Sequence, residues 1–239
     1  MVKKDFFQRD TMYKRIAVVD IDGILWSMAP AWYEELIKIN PDIPFPGSTN
    51  SWNFGEGFMD DHIFQQTIDA VHMRQEEFGC FEGAGKLTNM LHNSGFYVKI
   101  ASHRTYKSKA ATKAWLNKHN IFFDELHTVD DKHPLLQDAD LFIDDSPSSQ
   151  QYAVSIGLPV MSIRYPYNEN VYGVLFFDDF SYMLAGLRQW LASKSVTISK
   201  EEYAMLIKNN NFLIALEGSG VDNWPGYEQV VDNVMATAK

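Results

Sequence analysis

The sequence predicts an α/β fold in which helices cover both faces of a mostly parallel, Rossmann-like sheet. Short β-branched runs alternate with amphipathic helical patterns along most of the 239 residues, and this alternation is typical of parallel sheets. Several of the β-branched runs end at an acidic or hydroxyl side chain. The alternation is interrupted between residues 26 and 79 by a stretch that is rich in proline and aromatic residues. This stretch predicts a small helical cap inserted after the first strand.

Five segments have the length and composition of buried strands. They span residues 15–19, 97–101, 126–129, 139–143 and 159–163. In parallel sheets of this kind, ligands bind beyond the carboxyl ends of the strands, which lie along one edge. Asp20, Ser102 and Asp144 each follow the end of a predicted strand. We therefore expect these three side chains to converge at one edge of the sheet.

Helical periodicity separates the predicted strands. Helices are predicted at residues 31–39, 61–78, 82–92, 107–119 and 180–191, and a capping box at Ser199-Lys200-Glu201-Glu202 opens another. From these elements we expect an α/β core formed by residues 1–25 and 80–192, a helical cap at 26–79 and a helical C-terminal appendage at 193–239.

Composition and charge restrict the classes of protein that fit. No apolar run is long enough to cross a bilayer, and the N-terminus has lysines but lacks the apolar region of a signal peptide. The single cysteine, Cys80, excludes an internal disulfide framework and fits a reducing compartment, so we expect a cytoplasmic protein without a membrane partner. A formal net charge of −10 at pH 7 disfavours a stable nucleic-acid partner. A small phosphate ester needs only a local positive centre.

Two acidic pairs at strand ends are the strongest chemical signal. In Asp20-Ile21-Asp22-Gly23, one carboxylate can attack phosphorus while the other handles the proton of the leaving group. The second pair is Asp144-Asp145, and clustered carboxylate oxygens suit Mg²⁺. The alternative for Asp20-Ile21-Asp22-Gly23 is an ordinary acidic turn. Asp145 has an alternative role too, because Asp145-Ser146-Pro147 would also cap a helix.

Ser102 and Lys132 are weaker candidates for binding a phosphoryl group. A serine hydroxyl at a strand end can donate to a phosphoryl oxygen, although most such serines only close a turn. Lys132 precedes the strand that ends at Asp144, where an ammonium group would offset the charge of the carboxylates and of the phosphoryl group. The alternative for this lysine is a solvated surface position.

Together these residues resemble the four motifs of the haloacid dehalogenase superfamily over roughly residues 14–192. The motifs are Asp20-Ile21-Asp22-Gly23, Ser102, Lys132 and Asp144-Asp145, in that order. The resemblance implies a haloacid dehalogenase-like fold and a Mg²⁺-dependent phosphatase. It implies that Asp20 is the nucleophile and a metal ligand, that Asp22 is the general acid and base and binds metal through its backbone carbonyl, and that Asp144, together with Asp145, completes the metal site. Ser102 and Lys132 would hold the phosphoryl group.

The arrangement is most similar to the 5′(3′)-deoxyribonucleotidases, which implies a small phosphorylated metabolite, a nucleoside monophosphate, as the substrate. Aromatic side chains in the loop Ser51–Gly55 fit this substrate, because Trp52 or Phe54 could stack on a nucleobase. The alternative is that these rings form the core of the cap. This chain has Ala-Ser-His-Arg where those enzymes tend to have Thr-Ser-Pro at the second motif, and we expect Arg104 to contact the phosphate.

The sequence leaves other functions open. They are a phosphatase of another small phosphate ester, a phosphatase of polynucleotide ends and an inactive binding module that kept the fold; the oligomeric state is open as well. The segment Gly220–Tyr227 resembles short segments of phage-encoded proteins. For the appendage as a whole, we favour the simpler expectation of helices that pack on the core.

Overall fold

The computed structural model describes residues 15–194, 199–224, 226–227 and 229–230. The chain divides into two compact units, Met1–Ser193 and Lys194–Lys239. The predicted core segment 1–25 is therefore described from Arg15 onward, and residues 1–14 lie outside the described part. The predicted appendage is described in part only. The division of the first unit into core and cap stays a proposal.

In the part of the first unit that is described, from Arg15 onward, one sheet of six parallel strands organises the fold. The strands are β1 (Arg15–Val19), β2 (Phe96–Ser102), β3 (Glu125–Thr128), β4 (Leu141–Ile143), β5 (Val160–Ile163) and β6 (Val174–Phe177). Their order across the sheet is β3-β2-β1-β4-β5-β6, and each neighbouring pair is parallel. The predicted fold class is confirmed and all five predicted strands are present. The edge strand β6 was not predicted.

Strand β1 lies in the interior of the sheet, and its residues 16–19 are apolar on both faces. Ala17, Val18 and Val19 are fully buried. Val19 lies beside Ile100 of β2 on one side and beside Ile143 of β4 on the other. The chain proceeds from β1 to β2 and β3 on one side and then returns to place β4 on the opposite side. The carboxyl ends of β1 and β4 therefore flank a topological switch point, where α/β proteins form their binding crevice.

Helices cover both faces of the sheet. They are α1 (Ala29–Ile39), α2 (Asp61–Met73), α3 (Ala84–Asn93), α4 (Lys109–Lys118), α5 (His133–Leu136), α6 (Pro147–Ser155), α7 (Phe180–Ser193) and, in the second unit, α8 (Lys200–Gly218). On one face, Trp115 of α4 and Leu187 of α7 pack in the same buried cluster as Val19. On the other face, Ala153 of α6 packs in a cluster with Val18. Both faces are thus buried, as a parallel sheet requires.

The segment of residues 26–79, called the insert below, joins β1 to α3 and contains α1 and α2. A small apolar cluster of its own includes Leu36, Ile43 and Phe54. Helix α2 ends at Met73, and a short 3₁₀ helix, Gln75–Glu77, follows it, so that the predicted helix 61–78 is shorter than expected. The insert therefore holds together through its own side chains as well as through contacts with the sheet.

The second unit contains α8, which starts at the predicted capping box. The Ser199 hydroxyl accepts a hydrogen bond from the backbone N–H of Glu202, and the Glu202 carboxylate accepts one from the backbone N–H of Ser199. Large apolar side chains along α8 are exposed, among them Leu206 and Phe212. None of the described helices, α8 included, is both long enough and apolar enough to span a membrane.

Candidate active site

Three carboxylates meet at the carboxyl ends of β1 and β4. Asp20 follows β1, and its backbone N–H bonds to Ile143 O of β4 at 2.8 Å. Asp144 and Asp145 follow β4, and the Asp144 N–H bonds to Met161 O of β5 at 3.2 Å. The sheet ladder thus continues into both loops and fixes Asp20 and Asp144 at the switch point, with Asp145 next to Asp144 in the chain. All three are at most 5% exposed.

Lys132 is the cation that compensates this acidic group. Its Nζ lies 2.8 Å from Asp20 Oδ1 and 2.6 Å from Asp144 Oδ2, and the residue is 1% exposed. The two carboxylates raise the pKa of Lys132 above its usual range despite its burial, so this side chain is charged. The solvated position that the sequence left open for Lys132 is therefore excluded.

The acidic group has the donor set that a divalent cation requires. One carboxylate oxygen from each of Asp20, Asp144 and Asp145 lies within 4.8 Å of the others. Burial and the repulsion between these carboxylates raise the pKa of Asp20 to about 6 and raise that of Asp145 well above its usual range. A cation among them would offset both effects, and buried carboxylate oxygens are ligands that Mg²⁺ prefers. The residues therefore fit the predicted metal.

The carboxylate of Asp22 lies apart from that acidic group, within a set of hydrogen-bond donors. Oδ1 accepts from Trp26 Nε1 at 2.8 Å. Oδ2 accepts from Arg104 Nη2 at 2.7 Å, from His72 Nε2 at 3.0 Å and from Ser102 Oγ at 3.3 Å. Although burial opposes it, the Arg104 guanidinium beside Asp22 and then His72 hold the pKa of this carboxyl well below its usual range. These donors fix the orientation of the Asp22 side chain, and the role at the metal that was expected of its backbone carbonyl stays a prediction.

Ser102 and Arg104 bind each other and Asp22. Arg104 Nε donates to Ser102 Oγ at 2.9 Å, and its Nη1 donates to Thr112 Oγ1 at 2.7 Å and also to Gln75. Ser102 is the last residue of β2 and is 1% exposed. Most N–H groups of Arg104 therefore already bond to protein groups, and the phosphate contact expected of Arg104 stays a prediction.

The turn at Gly23 brings the first acidic pair against the second. Gly23 has φ +74°, which favours glycine, and a Cβ on it would lie 2.0 Å from Asp145 Oδ2. Two tyrosines from the loop after β5 fasten this contact. Tyr165 donates to Gly23 O at 2.8 Å and Tyr167 donates to Asp145 Oδ2 at 2.5 Å. The two acidic loops are therefore packed and hydrogen-bonded as one unit.

A cavity of about 350 Å³ opens onto Asp20, Asp22 and Asp145. The insert supplies most of its other wall, which is largely apolar and includes Met28, Trp32, Trp52, Phe54, Phe64 and Ile68. None of the described residues that line it is a lysine or an arginine. The cavity thus combines an acidic floor with an uncharged outer wall.

The two aromatic residues predicted to bind the substrate differ in their surroundings. Trp52 is 46% exposed and its ring lies edge-on to Tyr167, with the ring centroids 5.1 Å apart. Phe54 is 8% exposed and its ring lies edge-on to Trp32, at 5.1 Å between centroids. Phe54 therefore packs in the core of the insert, whereas Trp52 presents a free surface at the cavity.

Four residues of this site were not identified from the sequence, namely Trp26, His72, Tyr165 and Tyr167. The two tyrosines directly follow β5, so the rule that ligands bind beyond strand ends would have indicated them. His72 lies one helical turn after Ile68 on the buried side of α2. A histidine on the apolar side of a helix is the signal that was available for it.

Comparison with solved structures identifies the fold of the first unit. Similar structures include the predicted phosphoglycolate phosphatase of Haemophilus somnus 129PT (TM-score 0.52, 15% identity, covering 73% of this chain and 98% of that one). A haloacid dehalogenase-like hydrolase from Streptococcus pneumoniae gives TM-score 0.52 at 16% identity, with 73% and 98% covered. CbbY from Rhodobacter sphaeroides in complex with phosphate gives 0.50 at 14%, with 73% and 99% covered. The chain therefore has the haloacid dehalogenase-like fold.

The C-terminal part matches a different family. Residues 193–236 match the family described as phage T7 gp5.9 RecBCD inhibitor. This match agrees with the phage resemblance seen in the segment Gly220–Tyr227. Comparison with curated protein sequences gave no match.

Proposed function

We propose that the protein is a Mg²⁺-dependent phosphomonoester hydrolase in which Asp20 is the nucleophile. The observation that carries this proposal is the position of Asp20, buried at the floor of the cavity and paired with Lys132 at 2.8 Å. The neighbouring Asp22 carboxylate opens onto the same cavity. The haloacid dehalogenase-like fold supports the proposal, because the similar structures include one described as a predicted phosphoglycolate phosphatase.

In the first step an Asp20 carboxylate oxygen attacks phosphorus and the bond from phosphorus to the ester oxygen breaks. Asp22 donates a proton to the departing oxygen; this carboxylate is ionised in the free protein and takes up that proton when the phosphate dianion lies beside it. In the second step Asp22 accepts a proton from water, the water oxygen attacks phosphorus, and the bond to Asp20 breaks to release inorganic phosphate. Lys132 offsets charge on Asp20 and on the phosphoryl oxygens throughout. Mg²⁺ held by Asp20, Asp144 and Asp145 would supply further neutralisation of the phosphoryl charge.

We propose a nucleoside monophosphate as the substrate. The outer wall of the cavity carries no lysine or arginine among the described residues, so a second acidic group on the leaving side would find no cation there. A neutral nucleoside suits this wall better than an acid such as glycolate. The half-exposed Trp52 ring beside Tyr167 offers a surface on which a flat base can stack.

Replacing Trp52 with alanine tests the substrate. Stacking of one base contributes about 1–3 kcal/mol, so we expect Trp52→Ala to raise KM for a deoxynucleoside monophosphate about tenfold or more, since about 1.4 kcal/mol is a factor of ten. KM for a sugar phosphate should change less. Phe54→Ala is the comparison variant, because this buried ring supports the insert and its loss should impair both substrates equally. Equal losses in Trp52→Ala would count against base stacking.

A screen of nucleoside monophosphates, sugar phosphates and oligonucleotide ends separates the remaining alternatives. Activity on oligonucleotide ends that falls steeply with salt would favour a polynucleotide phosphatase. An absence of hydrolysis across the whole screen in Mg²⁺ would favour a binding module.

The family match of residues 193–236 favours a second candidate function, inhibition of RecBCD by the C-terminal unit. We expect the full chain to inhibit the activity of purified RecBCD on linear duplex DNA. Asp20→Asn should inhibit equally, because phosphoryl transfer plays no part, and a chain that ends at Ser193 should not inhibit. Inhibition that requires Asp20, or that survives removal of residues 194–239, would contradict this assignment.

A further inference from the structure

Two buried nitrogen donors, a guanidinium and an imidazole, contact the Asp22 carboxylate from different parts of the fold. Arg104, from the loop after β2, donates to Oδ2 at 2.7 Å. His72, from α2 of the insert, contacts the same oxygen at 3.0 Å. Asp22 is therefore bound simultaneously by the sheet side of the molecule and by the insert.

His72 is placed for this one contact. It is 1% exposed, and its Nδ1 is buried without a hydrogen-bond partner among the described residues. Asp22 Oδ2 already accepts from the Arg104 guanidinium, so it is the acceptor in this contact too, and we assign the hydrogen to Nε2 of His72. Leaving a buried ring nitrogen unpaired costs stability. Packing alone would favour an apolar side chain at this position of α2, so the histidine needs a reason beyond packing.

His72 is the direct contact between Asp22 and helix α2, whereas Arg104 is held mainly by groups outside that helix. The guanidinium is fixed by Ser102 at 2.9 Å and by Thr112 at 2.7 Å. Gln75, which follows α2, also accepts from it. The position of α2 thus decides whether Asp22 Oδ2 receives the His72 donor in addition to Ser102 of β2 and Arg104 of the loop after it.

We infer that His72 is a positioning residue, which orients the Asp22 carboxylate for proton transfer by donating to its Oδ2 atom whenever the insert is seated on the sheet. The inference rests on the proposed phosphatase function, in which Asp22 gives a proton to the departing ester oxygen. The insert then has two roles: it lines the cavity, and through His72 it orients the carboxyl group that transfers the proton. The orientation of the Asp22 carboxylate then depends on the position of the insert.

The inference makes a distinctive kinetic prediction. An alkyl leaving group, such as a nucleoside, needs the Asp22 proton as the bond to phosphorus breaks, whereas an activated phenol departs without it. General acid catalysis contributes about 10²–10⁴-fold. Loss of the His72 donor should therefore slow leaving-group release about 100-fold for an alkyl phosphate and only slightly for p-nitrophenyl phosphate, which gives a steeper dependence of the rate on leaving-group pKa.

The experiment measures the first-turnover release of leaving groups from a series of substituted phenyl and alkyl phosphates, with inhibition by inorganic phosphate measured alongside. His72→Phe keeps a buried ring without the donor, and His72→Leu supplies the same comparison with a smaller side chain. His72→Gln keeps an N–H donor. His62 is an exposed histidine on the same helix, and His62→Phe is the matched control.

We expect the rate to depend more steeply on leaving-group pKa in His72→Phe and His72→Leu than in the wild type. In His72→Gln and His62→Phe this dependence should be close to that of the wild type. Inhibition by phosphate should be unchanged in all four variants. Equal slowing of every substrate, or identical behaviour of the Phe and Gln variants, would show that His72 only packs the insert and would overturn the inference. A wild type that hydrolyses none of the series would instead overturn the proposed function.

Discussion

Asp20→Asn should abolish turnover while the protein remains folded. The amide of asparagine cannot attack phosphorus, and loss of a nucleophile typically lowers kcat by about 10⁴-fold or more. The fold should tolerate the change. The amide removes a buried charge that Asp144 and Asp22 repel, while Lys132 keeps its contact with Asp144 at 2.6 Å. Steady-state hydrolysis and a thermal melt on the same sample separate these two effects.

The covalent step can be tested directly. Mass spectrometry of acid-quenched wild type with substrate should find one phosphoryl group on Asp20, and none on the asparagine variant. Asp138→Asn is the matched control, since Asp138 is an exposed aspartate near the start of β4, and it should retain full activity. Near-normal turnover by Asp20→Asn would refute the nucleophile assigned here, whatever the outcome for the other residues.

Lys132→Met should remove both activity and a large part of the stability. The substitution keeps much of the volume of the side chain but leaves the buried carboxylates of Asp20 and Asp144 without their cation. Removing one partner of a buried ion pair costs about 3–5 kcal/mol. We expect a fall of that size in the free energy of unfolding, measured by denaturant titration in the presence of a chelator. Lys113→Met, at an exposed position of α4, should change it little.

Mg²⁺ provides a second measurement on the same variant. A cation that binds the folded state raises its stability by mass action, and Asp20, Asp144 and Asp145 form the group to which it would bind. Mg²⁺ should therefore stabilise Lys132→Met more than it stabilises the wild type, in which Lys132 already neutralises part of that charge. Equal stability of the variant and the wild type in chelator would show that Lys132 is not the counter-ion of the site.

The sequence predicts the central sheet well because its strands carry strong local signals. In β1, residues 16–19 are continuously apolar and the last three of them are fully buried, and Asp20 follows directly. The edge strand β6 is a run of four apolar residues in which Leu175 is exposed and the other three are only partly buried, and the exposed Tyr172 lies shortly before it. Its pairing with β5 is decided by tertiary contact.

The same difference between local sequence signals and tertiary contacts separates the site residues that were predicted from those that were identified only in the structure. Asp20, Ser102 and Asp144 could be placed together because strand ends share an edge. The partners of Asp22 could not be, because His72 lies 50 residues away along the chain and Arg104 lies 82 away. Arg104 is next to the second motif in sequence, which favoured a phosphate contact. Only the three-dimensional contact shows that its guanidinium donates to Asp22.

The need for a glycine at position 23 restricts which substitutions this protein can accept during evolution or in a designed library. Because a Cβ at that position would meet the Asp145 carboxylate at 2.0 Å, residues 23 and 145 cannot vary independently. A larger residue at 23 is open only to sequences in which 145 has already become smaller, and that exchange would discard one of the three acidic groups and the hydrogen bond from Tyr167. The loops that contain residues 23 and 145 lie more than a hundred positions apart in sequence, and we expect substitutions in one to be coupled to substitutions in the other.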